Sequence, residues 1–230
     1  CLLSRGLGDV YKRQILLNGI GLMKMNNNIK IIGDYLDEMF PNPKPELIFH
    51  SDYELLLAVM LSAQTTDKRV NTVTAVMFNK YPNLEKLMDA EIKDLENIIH
   101  PLGSFRKKAQ YTKEIARIIV EEYNGVVPTD KDILTTLPGI GRKTANVFLS
   151  EFYGYPAIAV DTHVERVSKR LKMAYLKDDV YKVEKKLERK FPKEEWSKRH
   201  LQLVLFGRYH CKAIKPVSYT HLRAHETRGN

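Results

Sequence analysis

The sequence predicts an all-α protein. Apolar residues recur every three or four positions in almost every stretch between the prolines and glycines, and no stretch alternates apolar and polar between turn signals. One run, Leu55–Ala63, is apolar on every side and so belongs at the centre of a helical core. In chain order, Ile29, Ile32, Leu36 and Met39 define a first amphipathic helix, broken by the Pro41-Asn-Pro-Lys-Pro45 connector. Ser51-Asp-Tyr-Glu54 reads as a capping box opening the all-apolar helix. Val70, Val73, Met77 and Tyr81 form the next stripe, and Ile92, Leu95, Ile98 and Ile99 another, stopped by Pro101. Ala109, Ile115, Ile118 and Ile119 line a longer helix that Asn124-Gly125 ends as a left-handed cap. Further helices are predicted over 130–136, 141–153, 161–173, 178–190 and 194–207.

The chain of 230 residues can bury a real core in one large domain or two small ones. No apolar run reaches the roughly 18 residues of a membrane span. The segment Ile15–Leu22 follows basic residues but is short and lacks a small-residue cleavage site after it, so the reading is a cytoplasmic protein. Two cysteines, Cys1 and Cys211, exclude a disulfide framework. A formal net charge of +9 fits a polyanionic partner, and equally a merely basic protein. The first and last fourteen residues show no sustained period and resemble translated adapter or transposon-end sequence. Residues 1–22 are therefore expected to be a non-native leader, with a natural start at Met23 or Met25, and 217–230 a non-native tail. The basic excess survives their removal.

The stretch most informative about chemistry is Leu134-Thr-Thr-Leu-Pro-Gly-Ile-Gly-Arg-Lys-Thr-Ala-Asn146. A short helix ends, Pro138 and Gly139 turn the chain, and Gly141 lets backbone approach a partner closely where a second helix begins. The first N–H groups of that helix lack intrahelical acceptors and form an anion site suited to a DNA phosphate, next to Arg142 and Lys143. This is the helix-hairpin-helix pattern; an ordinary helix–helix turn would not require both glycines and the lysine. Lys143 is the candidate nucleophile. A free lysine amine titrates near 10.4 and is inert while protonated; partial burial and Arg142 are expected to favour the neutral form. A lysine that only contacts phosphate remains the other reading.

Eighteen residues on, Asp161 follows an apolar run and opens a helix in Ala157-Ile-Ala-Val-Asp-Thr-His-Val-Glu-Arg-Val167. It is either a plain N-cap or a carboxylate tolerated near phosphate for a purpose: stabilising positive charge on a sugar, or deprotonating an amine. His163 reads as structural or phosphate-contacting.

At these residues the chain resembles the endonuclease III family, bifunctional DNA glycosylases and abasic-site lyases of the helix-hairpin-helix superfamily. LPGIGRKTANVFL resembles the family hairpin, AVDTHVERV its aspartate segment, ELLLAVMLSAQTTD its buried helix and following loop, and Phe206-Gly-Arg-Tyr-His-Cys211 its HGRYxC segment; the likeness runs from about residue 24 to 216. The resemblance implies that Lys143 forms a Schiff base, that Asp161 is catalytic, and that Gln64 fills the gap left by a flipped base; a helix C-cap is the plainer role for Gln64. It places Leu102 to Phe105 in a loop that wedges into the duplex, so Leu102, Ser104 and Lys108 join Gly139, Gly141, Arg142 and His163 as expected DNA contacts. It implies two helical domains, a six-helix barrel over 45–155 and a second domain from 24–44 with 156–216. The implied partner is double-stranded DNA with a damaged base, an oxidised pyrimidine above all, or an abasic site, and the implied protein is a bacterial or archaeal, nucleoid-associated monomer. A monofunctional glycosylase and a non-catalytic hairpin module are the alternatives. The family also carries a [4Fe–4S] cluster on C-x6-C-x2-C-x5-C. Cys211 stands at the first ligand position, but Ser218, His221 and Thr227 stand at the other three, so the cluster is expected of the natural gene product and not of this chain.

Overall fold

The computed structural model describes residues 28–213. The expected leader over 1–22, the tail over 217–230 and the positions Ser218, His221 and Thr227 lie outside them. Among the described residues there are eleven α-helices, one turn of 3-10 helix and no strand. They are α1 (28–39), α2 (Asp52–Leu61), α3 (Asp67–Lys80), α4 (Leu84–Met88), α5 (Ile92–Ile99), α6 (Phe105–Tyr123), α7 (Lys131–Leu134), α8 (Arg142–Tyr153), α9 (Thr162–Arg170), α10 (Val180–Lys190) and, after the 3-10 turn Lys193–Glu195, α11 (Trp196–Tyr209). No described helix is long and apolar enough to cross a membrane.

The chain divides into two compact units. The larger comprises Lys44–Asp161 and Lys193–Leu201. Its axis is α2, where Leu55 to Leu61 are all buried. Four of them are leucines with no exposed surface, each contributing about 2 kcal/mol of burial. The helix starts as the sequence predicts. Ser51 Oγ accepts from the Glu54 N–H, while the Glu54 carboxylate reaches one residue further back than in a standard capping box and accepts from the His50 N–H at 2.7 Å. Around α2 pack α3, α6 and α8, and α6 in turn packs on α4 and α5. The end of α6 is the predicted left-handed cap: Asn124 and Gly125 both have positive φ, and the Gly125 N–H returns to the Ile119 carbonyl at 2.9 Å. Residues 193–201 join this unit through Ser197, whose hydroxyl accepts from Ser150 Oγ at 2.8 Å and donates to the Tyr155 carbonyl at 3.2 Å.

The smaller unit comprises Thr162–Pro192 with the described residues up to Pro43 and from Gln202 onward. Tyr35 of α1 meets Phe206 of α11 edge to face, with ring centroids 6.1 Å apart. The buried Gln202 amide closes the end of α1, donating to the carbonyls of Leu36 and Phe40 and to Asp37 Oδ1. Gly207 packs against α9: a Cβ there would stand 2.8 Å from His163 Cβ. Asp178 accepts from the Tyr175 N–H at 2.7 Å and from Lys186 Nζ, which also lies 3.7 Å from the Tyr175 ring centroid.

Candidate functional site

The hairpin between α7 and α8 is anchored from below and open above. Leu134, Leu137 and Ile140 are buried, and the Leu137 and Ile140 N–H groups each turn back to the carbonyl three residues earlier. Asp130 caps α7 by accepting from the Asp132 and Ile133 N–H groups. Gly139 has φ +78°, and a Cβ there would lie 2.5 Å from Tyr111 Cδ2 and 3.3 Å from Met60 Cγ, so both backbone and packing require glycine. Gly141 differs. It is the N-cap of α8 in an extended conformation, and a Cβ on it would meet nothing within 4 Å. Its missing side chain serves no internal contact and leaves the space over the helix start open.

No side chain caps α8, and its first turn holds no acidic residue. Arg142 and Lys143 occupy that turn and are exposed, whereas Ala145 to Ser150 are buried. Two cations at the positive end of a helix dipole are unfavourable until an anion arrives. Lys143 is therefore well placed to meet a polyanion, but the partial burial expected of it is not found. Asp161 is half-buried, belongs to the same unit and immediately precedes α9.

The other expected contacts separate into two groups. Gln64 and Ser104 are exposed on loops, each with left-handed backbone at φ 56° and 55°. Gln64 is not the cap of α2, which is Ser62. Leu102, expected in the wedge, is instead 1% exposed, with its N–H on the Ile99 carbonyl; it anchors the Gly103-Ser104 tip and is not available to a duplex. Lys108, expected on the DNA surface, is 6% exposed. Its ammonium donates to the Leu61 and Ala63 carbonyls, both at 2.8 Å, and to Thr65 Oγ1 at 3.4 Å. The acceptors lie at the carboxyl end of α2, where a cation suits the dipole and orphan carbonyls need donors. Burial pushes the Lys108 ammonium below the ordinary lysine value. Two residues thus build the site from within: Lys108, which the sequence reading placed on the DNA surface, under the Gln64 loop, and Tyr111, which it missed, under the hairpin.

His163, in the smaller unit, is half-buried, and its Nδ1 accepts from Arg166 Nη2 at 3.2 Å, which places the remaining ring proton on Nε2. Arg166 also donates to the Gly207 and Cys211 carbonyls. Cys211 is the one cysteine among the described residues and is buried, with the Arg170 guanidinium donating to Sγ at 3.3 Å and to the Lys212 carbonyl. No group of three or more His, Cys, Asp or Glu side chains among the described residues is arranged to hold a metal ion. One arginine-paired thiol does not fit a four-thiolate cluster.

Comparison with known proteins agrees with this geometry. Residues 57–193 match the HhH-GPD superfamily base excision DNA repair proteins. Endonuclease III of Bacillus subtilis is 50% identical over 183 residues, covering 80% of this chain and 84% of that protein. Endonuclease III of Escherichia coli is 42% identical over 181 residues, covering 79% and 85%. A solved structure of a trapped endonuclease III–DNA covalent intermediate superposes with a TM-score of 0.82 at 45% identity, covering 89% of this chain and 99% of that one. The buried α2, the glycine hairpin with its basic helix start, and these likenesses together establish that the chain belongs to the endonuclease III family of the HhH-GPD superfamily of base excision DNA repair proteins.

Proposed function

We propose that the chain is a bifunctional DNA glycosylase and abasic-site lyase that acts on double-stranded DNA carrying an oxidised pyrimidine or an abasic site. The observation that carries this reading is Lys143, exposed in the uncapped, basic first turn of α8 beside the open space left by Gly141. The phosphate backbone docks on the hairpin N–H groups and Arg142, which brings the sugar to the amine. Since the protein leaves Lys143 in solvent, the water-excluding surface that a neutral amine needs is supplied by the duplex. Gln64, on its strained exposed loop, fills the gap when the base leaves the stack, and Ser104 meets the opposite strand.

The chemistry then proceeds in two stages. The Lys143 nitrogen pair bonds to C1′ while the C1′–base bond breaks, its electron pair leaving with the base, which takes up a proton. Asp161, as the carboxylate, balances positive charge on the sugar while the bonds exchange; it then takes the proton lost by the new secondary ammonium. That proton passes to O4′ as the C1′–O4′ bond opens, and the nitrogen lone pair forms the C1′=N bond of the protonated Schiff base. Loss of a C2′ proton then expels the 3′ phosphate, and water releases the lysine. A relative that forms a trapped covalent intermediate with DNA supports an amine nucleophile over an activated water.

Borohydride trapping on duplexes with an abasic site or an oxidised pyrimidine tests this. The expected result is a covalent adduct mapping to Lys143, absent in Lys143→Ala while DNA affinity is retained. Base release without any adduct would instead identify a monofunctional glycosylase acting through Asp161-activated water. Binding with neither would identify a non-catalytic hairpin module.

A further inference from the structure

The loop that carries Gln64 is four residues long, between Leu61 of α2 and Thr66 before α3, and has little of its own to hold it. Its internal bonds are the Thr65 N–H to the Ser62 carbonyl at 3.0 Å and a long contact from Thr65 Oγ1 to the Ala63 carbonyl. Gln64 itself sits in a left-handed conformation that a non-glycine residue adopts only when its surroundings hold it there. The group that holds it comes from α6, 45 residues beyond Ala63 in sequence. Lys108 Nζ bonds the residue before Gln64 through the Ala63 carbonyl and the residue after it through Thr65 Oγ1, and reaches the last carbonyl of α2 through Leu61. Each of its three donors thus has a separate acceptor, two on the short loop and one on the last residue of the helix before it. Lys108 is nearly fully buried, although its neighbours Arg106 and Lys107 are exposed. A buried ammonium is kept in place only by such a set of partners. One turn further along α6, Tyr111 presses on Gly139 of the hairpin.

We propose that Lys108 is the positioning residue for Gln64: it holds the loop on both sides of the glutamine, by the Ala63 carbonyl before it and the Thr65 hydroxyl after it, so that the side chain projects into the gap left by an extruded nucleotide. The inference rests on the reading of Gln64 given above. Lys108 touches no DNA in this role. It acts on the selectivity for distorted duplex and not on general affinity.

A double-variant cycle tests it in the full chain. Affinities are measured for an undamaged duplex and for one carrying a non-cleavable tetrahydrofuran abasic site, at two salt concentrations. Gln64→Ala is expected to lower the preference for the abasic duplex by on the order of 10-fold, Lys108→Met by a similar factor, and the pair together no further than Gln64→Ala alone, as for residues acting as one unit. Affinity for undamaged duplex and its salt dependence stay at the parent values in all three. A lysine that contacted phosphate would behave differently, weakening both duplexes equally and flattening the salt slope; that result overturns the proposal. So does a parent-like preference in Lys108→Met, or losses that multiply in the double variant. A parent-like preference in Gln64→Ala overturns the reading of Gln64 first, and the positioning role with it. Thermal unfolding shows whether the methionine variant is folded. If it is not, Lys108→Gln, which keeps a neutral donor on a shorter stem, takes its place under the same criteria.

Discussion

Replacing Gly139 and Gly141 by alanine, one at a time, separates stability from DNA binding within a single hairpin. At Gly139 the alanine meets two obstacles. Its backbone has φ +78°, where an L-residue is disfavoured by about 1–2 kcal/mol. The new Cβ would stand 2.5 Å from Tyr111 Cδ2 and 3.0 Å from Cε2, with Met60 Cγ at 3.3 Å behind. The tyrosine must swing away, and overpacking of that kind costs about 1–3 kcal/mol. Together the two terms destabilise the larger unit by about 2–5 kcal/mol, a fall of roughly 4–20 °C in its unfolding midpoint for a chain of this size. At Gly141 neither obstacle exists. The backbone is extended, the space is open, and only the poorer N-cap quality of alanine enters, about 0.5–1 kcal/mol. The methyl group, however, occupies the place where a phosphate would meet the α8 N–H groups. Gly141→Ala should therefore weaken binding to an abasic duplex by on the order of 10-fold, the loss of one charge-assisted hydrogen bond, with a near-parent unfolding midpoint. Denaturation followed by circular dichroism and binding followed by fluorescence anisotropy read the two effects. Parent stability in Gly139→Ala, or parent affinity in Gly141→Ala, would refute the division of labour between the glycines.

Two more expectations follow from single carboxylates. Asp161→Asn should slow base removal and strand cleavage by on the order of 100-fold, with abasic-duplex affinity unchanged or raised; single-turnover kinetics reading parent rates would leave Asp161 a plain helix cap. Asp178 is held below the ordinary carboxylate value, first by the hydrogen bond from Lys186 and also by the Tyr175 N–H. Its contribution to stability is complete above the unfolded carboxylate value near 3.9 and is lost as pH falls through the lower folded value. Asp178→Asn should thus lower the unfolding midpoint at pH 7 and converge on the parent as the pH falls through the folded carboxylate value; a difference that stays constant with falling pH would show that the ion pair does not matter.

The hairpin was legible because its constraints are local. Two glycines, a proline and three apolar anchors within eight residues leave few conformations, and the structure buries all three anchors. Short elements were not legible in the same way. Leu84–Met88 spans barely more than one turn, too little for periodicity to register, and only Asn83, which caps it by accepting from the Lys86 N–H, marks its start. The two misplaced contacts, Leu102 and Lys108, had a readable signal that neighbourhood obscured. Leu95, Ile99 and Leu102 form one apolar series, and Lys108 falls in register with Thr112, Ile115 and Ile119, all buried. A lysine on the inner face of a helix is rare, and the resemblance that put Lys108 with the wedge loop as a DNA contact outweighed its register. Tyr111 was beyond reach, because nothing in its own segment connects it to a glycine 28 positions later.

The helix starts of the larger unit carry a further argument about where DNA lies. In α2, α3, α4, α5 and α7 the first turn holds an aspartate or glutamate, and in α2, α4 and α7 a side chain also caps the exposed N–H groups. These helices satisfy their own dipoles. Three do not: α11, which begins in this unit, has no acidic residue in its first turn, and α6 and α8 have neither an acidic residue there nor a side-chain cap. The latter two begin instead with Arg106 and Lys107, and with Arg142 and Lys143, all four exposed. Each such cation opposes the free helix by about 0.3–1 kcal/mol, so the arrangement is unfavourable in the protein alone. What offsets it in the fold is burial further along, at Ala109, Ile115 and Ile119 of α6 and at Ala145 to Leu149 of α8. An anion that met both starts would offset it. The Ser104 tip leads into one and the glycine hairpin into the other. On the function proposed above, a duplex backbone would supply phosphates at both places. The same sequence choice that leaves α6 and α8 electrostatically incomplete therefore makes the two loops before them the ones that gain most from meeting a polyanion.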